Sequence, residues 1–211
     1  MTQLVHHPRF KESRTDTHVF FLTGPLSNWH PSRFTAVLPD FVAIHTGRPF
    51  QFCCNEQYMM ASKAALFGDA ATFDAIMARM PKGMDVPDPL VFEEMCIGDA
   101  ELTKVWNDVC RDHKALGRGA QGFVPAVWDA HARPIVAQGA RAKFAQNAHL
   151  GAYLAERRGK VLVEGAHYDK VWGVGLSWSD PRIMDPSNWQ GTNWLGEVLT
   201  DLCAETASPA A

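Results

Sequence analysis

Two acids stand where proton transfer could use them. Glu56 heads NEQYMMASKAALF, residues 55–67, a run otherwise largely apolar or small, and Asp169 opens DKVWGVG, residues 169–175. On a helix of 3.6 residues per turn, Glu56, Met59, Met60 and Lys63 share one face, with Lys63 about 10 Å along the axis from Glu56. Methionines beside a carboxyl keep water from it, which raises its pKa and lets it carry a proton near neutrality. A plainer account also exists. A glutamate in a first helical turn meets the positive end of the macrodipole, a gain of about 0.3–1 kcal/mol that needs no chemistry. Asp169 likewise has an ordinary use, since an acid before a Gly-rich turn often bonds its own backbone. Gly173 and Gly175 then serve positive φ.

Other residues extend the same chemistry. Trp172 offers a flat apolar face on which a heterocycle would stack; Trp128 could serve likewise, or pack in a core. Thr192 or Asn193, after Gly191, either caps a final helix or leaves that helix start with free N–H groups for a phosphate. Asn28, in Ser27-Asn28-Trp29, has donor and acceptor for a base or ribose and is otherwise a turn residue. The five cysteines, Cys53, Cys54, Cys96, Cys110 and Cys203, show no C-x-x-C or Cys/His pair of zinc-finger spacing. They read as buried free thiols in a reducing cytosol, and no metal is expected. His6 and His7, adjacent in a polar segment, make no metal site by themselves.

These residues need elements to hold them. Residues 1–16 are polar and without period, a loose arm by this reading. HVFFL at 18–22, FVAIHT at 41–46 and PFQF at 49–52 are β-prone. Asn55 can cap a helix to about Phe67, and Asp69 a second one to about Met80. PKGMDVPDP, 81–89, is a loop by composition. From Asp99, the residues Leu102, Val105, Trp106, Val109 and Cys110 recur at helical spacing. Beyond Pro125, the series Trp128, Ala132, Ile135, Val136, Gly139, Ala140 and Phe144 traces one face of a long helix. Leu150, Tyr153 and Leu154 continue it to Arg157 and Arg158, with Gly159 as the stop. KVLVE, 160–164, is a strand; 167–193 has little period but several tryptophans, and a stretch of that kind inside a domain is functional more often than idle. Leu195, Val198, Leu199 and Leu202 mark the closing helix. The expected architecture is mainly α with a small β portion, an α+β single domain.

Composition narrows the function classes. A formal net charge of -3 over 211 residues gives no general pull toward nucleic acid or an anionic membrane. Arg141, Lys143, Arg157, Arg158 and Lys160 form a modest cationic cluster, read as lying mostly on solvated helix faces. No signal-peptide pattern or apolar run of about 18 residues occurs, so a cytoplasmic protein with no membrane contact is expected.

No motif decides alone; their order does. Ser27-Asn28-Trp29 comes first, then Asn55-Glu56-Gln57-Tyr58 with Lys63, then Leu116-Gly117-Arg118 ahead of Trp128-Asp129. Ala142-Lys143-Phe144 with Gln146-Asn147 follows, then Leu162-Val163-Glu164 ahead of Asp169, Trp172, Gly173 and Gly175, and last Gly191, Asn193, Leu195 and Gly196. This series resembles the NADAR (YbiA-like) superfamily over most of 18–203. Three departures stand out. Gln57 occupies a position where the family more often shows histidine, the segment between Met80 and about His113 is longer than usual, and so is that between Gly175 and Gly191.

The resemblance implies an N-glycosidase. Known members cleave ribosylated pyrimidine intermediates of riboflavin biosynthesis, and others remove ADP-ribose from guanine. It further implies Glu56 and Asp169 as the catalytic carboxylates, one on the leaving nitrogen and the other on the water or the cation, in either order. Asn28, Trp29, Lys63, Arg118, Trp128, Trp172, Gly173 and Asn193 become substrate-binding residues. The implied partner is a small ribosylated heterocycle or an ADP-ribosylated guanine, free or within nucleic acid, with no cofactor and no obligate protein partner. By the same resemblance the domain covers 17–203 with a family-variable insertion at 81–113, and 204–211 forms a disordered tail. A non-catalytic module that binds ADP-ribose or a nucleotide is the rival reading; it would use the aromatics and cations but would not need both carboxylates. A plain helical interaction domain explains 100–112 but not 167–193.

Overall fold

The structure is a computed structural model describing residues 4–81 and 86–205. In chain order its elements are β1 (Val5–His6), β2 (Glu12–Arg14), β3 (His18–Phe21), β4 (Phe34–Val37), β5 (Pro49–Phe52), α1 (Asn55–Leu66), α2 (Ala70–Ala78) and α3 (Pro89–Ile97). There follow α4 (Ala100–Arg118), α5 (Pro125–Gln146), α6 (Ala148–Ala155), β6 (Val161–Glu164), two short 3-10 turns at Pro181–Met184 and Pro186–Asn188, and α7 (Trp194–Glu205). The expected α+β class, mainly helical with little strand, holds. The elements divide into two compact units, residues 31–148 and residues 1–30 with 149–211. No helix among the described residues is long and apolar enough to cross a membrane.

The unit of residues 31–148 is built around α1. This helix has no exposed stripe until its end: every residue from Asn55 through Ala65 is buried, polar and apolar alike. Small residues let neighbours approach closely. A Cβ on Gly117 of α4 would collide with Met60, and one on Gly139 of α5 with Asn55 and Tyr58. Asp69 caps α2, as the sequence predicts, and Asp99 caps α4, each through a side-chain bond to an N–H three residues on. The cap of α1 is one residue earlier than predicted: Cys54, not Asn55, accepts the N–H of Gln57. The helix of Pro89–Ile97 has no counterpart among the expected elements. Asp88 caps it and Pro89 starts it, a combination suited to a first turn.

Two further expectations give way here. FVAIHT, 41–46, is not a strand; its backbone turns at Val42 and takes positive φ at His45 and Gly47, while β5 pairs antiparallel with Phe34–Val37 instead. The long helix also breaks at Asn147. That residue leaves helical φ/ψ, and its Nδ2 bonds the carbonyls of Arg33 and Lys143 at 2.9 and 2.8 Å.

In the other unit, β1, β2, β3 and β6 form one sheet in that order, antiparallel except for the parallel pair β3–β6. Phe20, Val163, Val174, Leu176 and Ile183 are its core. Residues 5–14 are therefore not a loose arm. Glu12 on β2 is buried and accepts from Arg157 Nη2 at 2.9 Å and from the Tyr153 hydroxyl at 2.6 Å, while the Arg157 guanidinium lies 3.3 Å from the centroid of the Tyr153 ring. Arg157 and Lys143 are likewise buried rather than on solvated faces, each with a carboxylate or a ring beside it. Gly159, at φ +79°, ends the helical run in the way expected. Ala204 and Glu205 complete α7; the rest of the expected tail, and part of the 81–89 loop, lies outside the described residues.

Candidate active site

The predicted site residues fall in two groups, one in each unit. In the helical unit, Glu56 stands in the first turn of α1, is 3% exposed, and lies near enough to Cys110 and His113 of α4 for its charge to act on both. Two turns on, Lys63 is also buried. Its Nζ lies 4.2 Å from the centroid of the Phe123 ring and 5.2 Å from that of Trp128. Burial first, and the charge of Arg118 second, hold its ammonium below the ordinary lysine range. The structure thus brings Arg118 and Trp128 to Lys63, in the last turn of α1 and two turns on from Glu56. Phe123 belongs to this group and sequence reasoning misses it, because in the flexible connection GRGAQG and its sequel it has no periodic neighbour. A groove of about 650 Å³ between α2 and α4, lined by Thr72, Arg79, Asp112 and Leu116 among others, contains none of the predicted residues.

Gln57 makes structural bonds rather than serving proton transfer. Its Oε1 accepts from the N–H of Cys53 at 2.9 Å, and its Nε2 donates to the Ile76 carbonyl at 3.1 Å and to Met80 Sδ at 2.8 Å. These bonds from one amide tie β5, α1 and α2, a structural use that an acceptor-and-donor side chain serves well.

In the sheet-bearing unit, Asp169 does what the plain reading expects of it: Oδ1 accepts from the N–H groups of Val171 and Trp172 at 3.0 and 2.9 Å. The turn so fixed sets Trp172, which meets Trp194 edge to face at 5.7 Å between centroids. Gly173 sits under the carbonyls of Glu164 and Asp169, with no room for a Cβ. Asn28 and Trp29 lie in a turn where Ser27 Oγ accepts the Trp29 N–H. Asn193 adopts positive φ and spends its amide on β6, accepting from Glu164 N–H at 2.9 Å and donating to the Leu162 carbonyl at 3.0 Å. One expectation fails here. The N–H groups of Thr192, Asn193, Trp194 and Leu195 donate to the carbonyls of Lys170, Gly173, Val171 and Trp172, so the start of α7 does not hold them free for a phosphate.

A second cluster is invisible to spacing. Cys53, Cys54 and His113 place their ligand atoms within 4.8 Å of one another, all buried. Burial would push the Cys54 thiol up, but hydrogen bonds from Cys110, Cys53 and His113 outweigh it and bring it well below the usual thiol range. The only sequence trace of this group is Cys110-x-x-His113, one turn of α4.

A family profile for the NADAR domain matches residues 91–205. The chain belongs to the NADAR domain family. N-glycosidase R617 of Acanthamoeba polyphaga mimivirus is 32% identical over 200 residues, covering 90% of this NADAR chain and 97% of that protein. Protein irg-1 of Caenorhabditis elegans is 30% identical over 201 residues, covering 92% of this chain and 82% of that protein. The fold is similar to the solution structure of Escherichia coli YbiA, at a TM-score of 0.55 and 21% identity over 96% of this chain and 92% of that one. Glu56 and Lys63 lie ahead of the residues matched by the NADAR profile.

Proposed function

We propose that this NADAR protein hydrolyses the N-glycosidic bond between a ribose, as ribose 5-phosphate or ADP-ribose, and a nitrogen heterocycle. The N-glycosidase class rests on kinship: membership of the NADAR family and similarity along most of the chain to a protein named N-glycosidase. The substrates we propose are a ribosylaminopyrimidine of riboflavin biosynthesis or an ADP-ribosylated guanine.

Such a reaction breaks the bond from C1 to nitrogen through an oxocarbenium-like state. The heterocycle leaves with the bonding electrons and needs a proton; water supplies hydroxide to C1 and gives up the proton that balances it. Glu56 is the acid on the leaving nitrogen, and Asp169 supports the cation or the water. The observation that carries this reading is the buried carboxyl of Glu56 on the same helix as Lys63, whose ammonium is framed by Phe123 and Trp128. Lys63 and Arg118 offer charge to phosphate, Trp128 and Trp172 offer faces to the base, and Asn28 and Trp29 complete the proposed contacts. Gly173 and Asn193 then act by shaping the turn that carries Trp172.

Incubation with a ribosylaminopyrimidine 5′-phosphate and with ADP-ribosylated guanosine or DNA, read by mass spectrometry, tests it. Free base with ribose 5-phosphate or ADP-ribose is the expected product pair. Tight ADP-ribose binding without release of either product would instead select the non-catalytic binding module.

A further inference from the structure

We propose that Cys53, Cys54, Cys110 and His113 form a tetrahedral binding site for a zinc ion within the helical unit. This goes beyond the glycosidase reading and does not depend on it.

Several observations converge. The ligand atoms of Cys53, Cys54 and His113 lie within 4.8 Å of one another, in three different backbone settings: the end of β5, the cap of α1 and the face of α4. Zinc bonds of about 2.3 Å to sulfur and about 2.0 Å to nitrogen place tetrahedral ligands about 3.5–3.8 Å apart, so a small inward movement closes the site. Cys110 supplies the fourth ligand. It already donates its thiol hydrogen bond to Cys54, and at three residues before His113 it projects from the same face of α4.

The histidine is set up from behind. Its Nε2 contacts the Arg79 carbonyl at 2.6 Å, and a carbonyl only accepts, so Nε2 carries the hydrogen. That fixes the ring and leaves Nδ1 as the nitrogen for the sulfurs, the arrangement in which a backbone carbonyl orients a metal-binding imidazole. The N–H of Gln57 reaches Cys54 Sγ at 3.5 Å, so a helix-start donor faces the sulfur that would hold the ion. Three thiolates around a divalent cation carry one net negative charge, and the buried Lys143 bears electrostatically on Cys54 from α5. Glu93 and Glu56 are the acids nearby, acting on Cys96 and on Cys110 and His113 respectively. Loading displaces the thiol protons of Cys53, Cys54 and Cys110 to water, and the ion enters as the unit folds.

The test uses the whole chain, expressed without a polyhistidine tag in zinc-replete medium and desalted. Metal analysis should find about one zinc per chain. Cobalt(II) added to metal-stripped protein should give thiolate-to-metal charge transfer and the strong visible bands of a tetrahedral site. Cys54→Ser and His113→Gln should each lower retained zinc at least about tenfold, and Cys203→Ser should retain it. The cobalt spectrum of the unaltered chain decides independently of whether those variants fold. Zinc at background with no charge-transfer band, or zinc retained by a folded Cys54→Ser chain, overturns the site.

Discussion

Lys63 holds its ammonium 4.2 Å from the Phe123 ring centroid, seven residues along α1 from Glu56. The one helix therefore carries both the proposed proton donor and the proposed phosphate contact. Replacing Lys63 by Met removes a charged hydrogen bond of about 1.5–3 kcal/mol, a loss of about ten- to hundredfold in kcat/KM that should fall mostly on KM. The lowered pKa of Lys63 adds a pH signature. Its proton is lost at lower pH than that of an ordinary lysine, near 10.4, so KM for a phosphorylated substrate should rise on the alkaline side before that value. Lys63→Arg, with a cation that does not titrate there, should abolish the rise. A KM profile unaltered by Lys63→Arg would remove this residue from the phosphate.

Glu56→Gln keeps shape and removes proton transfer. General acid catalysis contributes about 10²–10⁴-fold, so kcat should fall by that amount with KM nearly unchanged. Steady-state kinetics beside a thermal melt check both halves. A folded variant at full rate takes the acid role from Glu56.

Asp169 calls for a pair of variants. Asn preserves the oxygen that accepts from Val171 and Trp172; Ala removes it, at a cost of about 1 kcal/mol to the turn. If Asp169 serves the cation or the water, Asn alone should cost catalysis. Activity that survives in Asn and drops in Ala assigns the residue to holding Trp172.

The Arg157–Glu12 pair is buried on both sides. Arg157→Met leaves the buried Glu12 with the Tyr153 hydroxyl but no cation, and should destabilise the fold by about 3–5 kcal/mol in denaturant unfolding. The double variant with Glu12→Gln should recover part of that loss.

In the metal-stripped chain Lys143 should make stability rise with pH. Burial lowers it to about 7 in the folded chain, whereas the unfolded lysine titrates near 10.4. Between those values the unfolded state binds the extra proton, so stability climbs as pH rises from about 7 toward 10 and levels off below about 7. Lys143→Met should flatten this slope, by an amount on the order of 1–3 kcal/mol across the window. Melts at several pH values measure it.

How far the sequence is readable depends on the range of each interaction. α1, α2, α4 and α5 follow from local capping and spacing, and β3 and β6 from short β-branched and aromatic runs. The pairing of Phe34–Val37 is unreadable because only Phe34 of that strand is buried, which leaves no alternation to see. Residues 12–14 look loose since Glu12 is explained by Arg157, 145 residues away. Glu56, Lys63 and Trp128 are legible as types, yet Phe123, the ring nearer to the Lys63 ammonium, is not. The sulfur cluster hides for the same reason: its halves are separated by three whole helices and half of a fourth, and only the fold adds them up.

The parallel pairing of β3 with β6 has a consequence for biosynthesis. About 140 residues separate the two strands, which at roughly 5–20 residues per second is about 7–28 s of translation. Throughout that interval one edge of β3 waits without its neighbour while the helical unit emerges and gathers its own contacts. A nascent chain stalled before Val161 should therefore show protected helices and an exposed, protease-sensitive first sheet, an order of assembly written into the connectivity.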